Sequence, residues 1–185
     1  MKFKSVLSWC IALLFLAGVI VYVHLPDQEA QTQPAQADSG SIPTGSEPGM
    51  RCADFSVETA DGNVFHLSEH LGRPVVINFW ATWCGPCVTE LPNFQQLSDT
   101  YGGQVSVIAL HASLLTDDWM AFLSNYDYTI PFALDADGSI LTNLGGSMML
   151  PQTAVIDRNG VIVYNKAGSL DYPALEAIIA PLLQK

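Results

Sequence analysis

Pro74-Val75-Val76-Ile77-Asn78-Phe79-Trp80-Ala81-Thr82-Trp83-Cys84-Gly85-Pro86-Cys87 is the stretch that decides the fold of this 185-residue chain. Its first half is rich in β-branched and aromatic residues and reads as a buried strand, Val75–Trp80. A helical pattern then begins and puts Cys84 at the helix cap, with Cys87 at the end of the first turn. A thiol at that cap faces unbonded backbone N–H groups and the positive end of the helix dipole, which favour the thiolate. Cys87 follows one turn later on the same face. It is placed to attack a mixed disulfide formed at Cys84, so the spacing suits thiol–disulfide exchange.

Outward from this stretch, the helix should run from Cys84 to about Tyr101, with Pro92 kinking it and Gly102-Gly103 ending it. Upstream, residues 54–58 and 64–67 flank Asp61-Gly62 and read as a short hairpin, followed by a helical turn at 68–71. Downstream, residues 105–110 form a second buried-type strand. Residues 117–126 form a helix capped by Thr116, with Trp119, Phe122 and Leu123 at helical spacing. A short strand is expected at 132–134 and a short helix at 140–144. Residues 153–157 and 161–164 make a second hairpin around Arg158-Asn159-Gly160, and a last helix at 173–183 has Pro173 in its first turn. Alternating strands and helices, then an antiparallel pair and a final helix, predict an α/β domain with a mixed central sheet.

The N-terminal region has a different composition. Residues 5–23 carry no charge, with Lys2 and Lys4 before them and acidic residues after, which predicts one transmembrane helix with its N-terminus inside. The alternative is a cleaved signal peptide. Ala35-Gln36-Ala37 has the small-residue pattern of a cleavage site but lies far beyond Val23. A lipidated Cys10 does not fit, because Trp9 precedes it and no apolar run comes before. The expected organisation is a cytoplasmic N-terminus at 1–4, an anchor at 5–23, a flexible linker at 24–49 and a folded domain at 50–185. All 18 acidic residues but only five of the seven basic ones follow Val23, which leaves that part at −13. A surface this acidic argues against nucleic acid or anionic lipid as a partner.

The chain has four cysteines. Cys10 falls in the apolar segment and Cys52 stands alone before the first strand, where it reads as a small buried hydrophobe. Only Cys84 and Cys87 form a local pair. A bridge closing so short a loop adds little stability, so in an exported compartment the pair reads as catalytic. Zinc needs four ligands, and His66, His70 and His111 show no ligand spacing. His111 ends a buried strand and reads as a structural histidine. No metal or cofactor is expected.

Taken together, these residues resemble the thioredoxin superfamily, and within it the membrane-anchored TlpA/ResA-like thiol–disulfide oxidoreductases of bacteria. The resemblance covers residues 49–183. Asn78-Phe79-Trp80-Ala81-Thr82-Trp83-Cys84-Gly85-Pro86-Cys87 carries it most specifically. Asp54-Phe55 with Asp61-Gly62, Glu90-Leu91-Pro92, and Leu150-Pro151-Gln152-Thr153 followed by Ile156-Asp157-Arg158-Asn159-Gly160 agree with it. It implies a thioredoxin-like mixed sheet flanked by helices, with an N-terminal β-hairpin and one preceding transmembrane helix. It also implies a redox disulfide Cys84–Cys87 and a cis-proline at Pro151 beside it. Trp83, Gly85, Pro86, Leu150 and Pro151 would face the substrate, and Trp80 would pack beneath the site.

Ordinary thioredoxins carry a buried Asp where this chain has Asn78, which cannot ionise. The subgroup suggests Glu90, on the same helical face as Cys87, as the proton-transfer group. Met148 and Met149 read either as an apolar docking patch or as loop packing. By resemblance, Cys84 is an exposed nucleophile that reduces disulfides of exported proteins on the periplasmic face. Electrons would come from an integral membrane thiol carrier, and cytochrome c maturation is a typical client process. Two rival readings remain. A thiol peroxidase would need a Pro/Thr/Arg constellation around its cysteine, and none surrounds Cys84. A Cu(I) chaperone would add a His or Met ligand, for which only Met148-Met149 is available.

Overall fold

Five strands form the central sheet in the order β5-β4-β3-β6-β7: β3 Val75–Trp80, β4 Ser106–His111, β5 Phe132–Leu134, β6 Gln152–Ile156 and β7 Ile162–Ala167. The computed structural model describes residues 42–112, 118–146 and 149–184. The expected anchor at 5–23, Cys10, Thr116 and Met148 lie outside the described residues. β3 pairs parallel with β4 and antiparallel with β6, so the sheet is mixed, as expected. A separate hairpin, β1 Ser56–Glu58 and β2 Val64–His66, precedes it and leads into α1 Leu67–His70.

Every residue of β3 is buried because the sheet is covered on both faces. Successive side chains of a strand alternate sides. Val75, Ile77 and Phe79 therefore enter one core cluster, with Phe65 and Leu67 from the hairpin region and Ile140 and Leu141 from α4 Ser139–Asn143. Val76 and Trp80 enter the other, with Leu91, Phe94 and Leu97 of α2 Gly85–Tyr101 and Leu175 and Ile179 of α5 Tyr172–Leu183. Leu91, Phe94 and Leu97 are fully enclosed. Burying each contributes roughly 1.5–3 kcal/mol, which holds α2 against that face of the sheet. α2 continues through Pro92 to a glycine cap at Gly102, whose N–H bonds to Ser98 O.

Several boundaries differ from the sequence expectation. The compact unit starts at Ile42, within the stretch read as linker. Gly45 N–H bonds to Arg51 O and Gly49 N–H to Ile162 O, so this end of the segment is tied to β7. Its Ser-Pro-Gly composition hid that docking, because backbone bonds to a sheet need no apolar pattern. α3 is shorter than expected, Trp119–Leu123. Asp118 caps it through Ala121 N–H, and Asn125 Nδ2 bonds the carbonyls of Ala121 and Phe122 at its other end. β7 runs three residues beyond the expected 161–164, to Ala167 opposite Gln152. It is an edge strand, and polar Asn165 and Lys166 masked its end.

Candidate active site

The end of β3 turns directly into α2, and the turn carries the cysteines. Cys84 is the N-cap of α2, in extended conformation, and Pro86 sits in the first turn, where its missing N–H costs nothing. Cys84 Sγ accepts a hydrogen bond from Cys87 N–H at 3.3 Å, so the sulfur takes up one of the donors that a helix start leaves free. Cys84 and Cys87 are joined as a disulfide. The pair is asymmetric. Cys87 is completely enclosed, and Cys84 retains 5% exposure. Cys84 is thus less open than a free helix cap would be, because Trp80, Ala81 and the first turn of α2 pack around it. It is still the sulfur that a partner reaches first.

Next to Cys84 in the chain, Trp83 is 50% exposed, and Gly85 and Pro86 are exposed on the helix start. Met149, 69% exposed, lines a separate cavity with Leu144, Gln152 and Asn165. Trp80 is fully buried, with its ring edge-on to His111 and Phe132. The Leu150–Pro151 peptide is cis, as the resemblance implied. Phe79 pairs with Gln152 across β3 and β6. That register carries Pro151 toward the end of β3, from which the cysteine turn departs. Leu150 packs against the cluster that contains Cys84 and Cys87. The two segments are therefore joined by the sheet, although Pro151 lies 64 positions beyond Cys87.

Glu90 is 2% exposed on α2, one turn beyond Cys87. Its Oε1 accepts from Asn78 Nδ2 at 2.7 Å and its Oε2 from Leu170 N–H at 2.8 Å. Burial pushes its carboxyl up to about 7, against the two hydrogen bonds, which pull it down. A buried carboxyl poised near neutrality is what proton exchange with a thiol needs. The partner from Leu170 left no signal in the sequence, since any residue's backbone could supply it. A cavity of about 390 Å³ opens beside Glu90, between Pro86 and Thr89 on α2 and Leu170 and Asp171 before α5. A groove of about 430 Å³ elsewhere, lined by Tyr126, Tyr128 and Phe132, contains no cysteine.

Cys52 belongs to the hydrophobic cluster on the opposite face of the sheet from the cysteine pair. Burial, and then the charge of Asp54, push its thiol up to about 11. It is buried filler, and the sheet stands between it and the redox pair. His111 is fully buried at the end of β4 and stacks on Trp119. Among the described residues, no group of three or more His, Cys, Asp or Glu side chains could hold a metal ion.

The Redoxin family profile matches residues 47–179. The chain is 32% identical over 135 residues to the thioredoxin-like protein YneN of Bacillus subtilis, covering 71% of this chain and 78% of that one. It is 32% identical over 131 residues to the thiol-disulfide oxidoreductase ResA of Bacillus thuringiensis subsp. konkukian, covering 70% and 75% respectively. Among solved structures, a protein of Chlorobium tepidum described as a thiol:disulfide interchange protein DsbE superposes with a TM-score of 0.67 at 31% identity, over 77% of this chain and 99% of that one. An exposed lipoprotein thioredoxin of Streptococcus pneumoniae superposes with a TM-score of 0.64 at 26% identity, over 70% of this chain and all of that one.

Proposed function

The chain belongs to the redoxin family, as a ResA-like thiol–disulfide oxidoreductase of the thioredoxin superfamily, and we propose that it works tethered to the outer face of the bacterial cytoplasmic membrane, reducing disulfides of exported proteins. One observation carries the reading: the Cys84–Cys87 disulfide caps α2 while the caged Glu90 carboxylate lies one turn beneath it. In the forward direction the Cys84 thiolate attacks a substrate disulfide RS–SR′. A Cys84–SR mixed disulfide forms and R′S⁻ leaves. Cys87 then gives its proton to Glu90, and its sulfur displaces RS⁻ and closes the Cys84–Cys87 bond. The substrate gains the two electrons that the dithiol loses, and the proton on Glu90 passes on to RS⁻. The exposed Trp83 beside Cys84 favours an unfolded or extended polypeptide client over a compact one, in keeping with apocytochrome maturation. A second dithiol, on an integral membrane carrier, regenerates the reduced pair.

The full chain is expected to accelerate insulin reduction by dithiothreitol, and the Cys84–Cys87 couple is expected to lie below the glutathione couple in potential. For this two-electron couple, about 30 mV corresponds to about 1.4 kcal/mol, so redox equilibration against glutathione resolves the direction. A couple well above glutathione would make the chain a disulfide donor.

The apolar segment at 5–23 supports the tether. An alkaline phosphatase fused to the C-terminus is expected to be active, and the chain to fractionate with membranes. A soluble product beginning near Asp38 would show a cleaved leader instead.

A further inference from the structure

Asn78 is completely enclosed on β3, between Glu90 of α2 and Thr153 of β6. Its Nδ2 donates to Glu90 Oε1 at 2.7 Å and to Thr153 Oγ1 at 3.4 Å, while its Oδ1 has no hydrogen-bond partner. Glu90 Oε2 meets the Leu170 N–H. Both carboxylate oxygens therefore face donors, an arrangement that favours the ionised carboxylate. A protonated Glu90 presents a hydroxyl that needs an acceptor, and the Leu170 N–H cannot become one. An amide can, because its oxygen and nitrogen occupy nearly the same volume. A half-turn about the terminal bond puts Oδ1 where Nδ2 stood. Only one of the amide's two polar atoms is bonded as it stands, so the turn exchanges one unbonded atom for the other. Thr153 follows the change, since its hydroxyl both donates and accepts.

We propose that Asn78 is a positioning residue for proton transfer, whose buried amide turns over when Glu90 gains or loses a proton, keeping the carboxyl hydrogen-bonded in both states. This rests on the reading of Glu90 as acceptor of the Cys87 proton. As Cys87 sulfur forms its bond to Cys84, the proton it gives up sits on Glu90 Oε1, hydrogen-bonded to Asn78 Oδ1. It stays there until the departing substrate thiolate takes it. The other titratable groups around Glu90 do not supply this exchange. Cys84 and Cys87, on its own helix, are the proton's source. Tyr164 of β7 stays neutral, its hydroxyl held up by burial and by the charge of Glu90. Asp171, at the rim of the adjoining cavity, is engaged as the N-cap of α5 through Ala174 N–H.

The test is NMR of the full-length oxidised chain, with side-chain amides of Asn and carboxyl carbons of Glu selectively labelled. The Asn78 amide signals are expected to change with pH through the same midpoint as the Glu90 carboxyl. Glu90→Gln should pin them at their low-pH positions throughout. Asn78→Leu removes a partner from both protonation states of Glu90, so it should slow single-turnover decay of the mixed disulfide severalfold or more, without needing to move the Glu90 midpoint. Amide signals that ignore the Glu90 titration, or unchanged decay of the mixed disulfide in Asn78→Leu, would overturn the role of Asn78 and leave that of Glu90 standing. A wild-type Glu90 that titrates in the ordinary carboxylate range would overturn both.

Discussion

Cys84→Ser is expected to bring disulfide reduction down to the uncatalysed rate, a loss on the order of a thousandfold or more, as removal of a nucleophile elsewhere does. A serine hydroxyl at the same cap does not ionise near neutrality, and the hydrogen bond from Cys87 N–H cannot make it do so. Cys87→Ser should fail differently. Cys84 still attacks, but nothing remains to displace it, so the chain accumulates as mixed disulfides with its substrates. The burial asymmetry predicts this division of labour, because a substrate can reach Cys84 and not the enclosed Cys87. Insulin turnover and non-reducing gels of both variants measure it. Normal turnover in Cys84→Ser, or trapping by Cys84→Ser in place of Cys87→Ser, would reverse the assignment.

Glu90→Gln is expected to show up in both catalysis and stability. An ionised Glu90 one turn from Cys87 opposes thiolate formation, so removing its charge should lower the apparent thiol pKa and slow the resolving step. The pH dependence of thiol alkylation, compared between wild type and variant, reads the first effect, and single-turnover decay of the mixed disulfide reads the second. Superimposable alkylation curves would make Glu90 an electrostatic bystander.

The stability effect follows from proton linkage. The folded carboxyl is raised to about 7 from 4.5, so the folded chain holds a proton that the unfolded chain releases between those values. Its contribution is fully present below about pH 4.5 and is lost as pH rises through 7, a change on the order of 3 kcal/mol. Glu90→Gln removes that loss. Its Tm relative to wild type is therefore expected to be higher at pH 8 than at pH 5, with both chains oxidised.

Much of the site is legible in the amino-acid sequence. The β-branched run at 75–80 forms β3 with the expected bounds, because a strand buried on both faces is apolar throughout and needs no partner to be recognised. The cap at Cys84 and the stop at Gly102 are local events within one helical turn. Less is legible at the periphery. Polar residues at a sheet edge hide the length of β7, and a linker-like composition hides the packed segment from Ile42.

Local sequence suffices for the Cys84–Cys87 pair and the strand–turn–helix unit that carries it, since propensity and periodicity act over a few residues. The chemistry around them comes from tertiary packing. Asn78 meets Glu90 from 12 positions away and Thr153 from 75, and the Leu170 N–H reaches Glu90 from 80 positions away. Packing likewise puts Cys52 on the far face of the sheet. The reason is physical. A carboxyl's proton affinity depends on what water it has lost and which donors surround it, and those are settled when distant segments pack together.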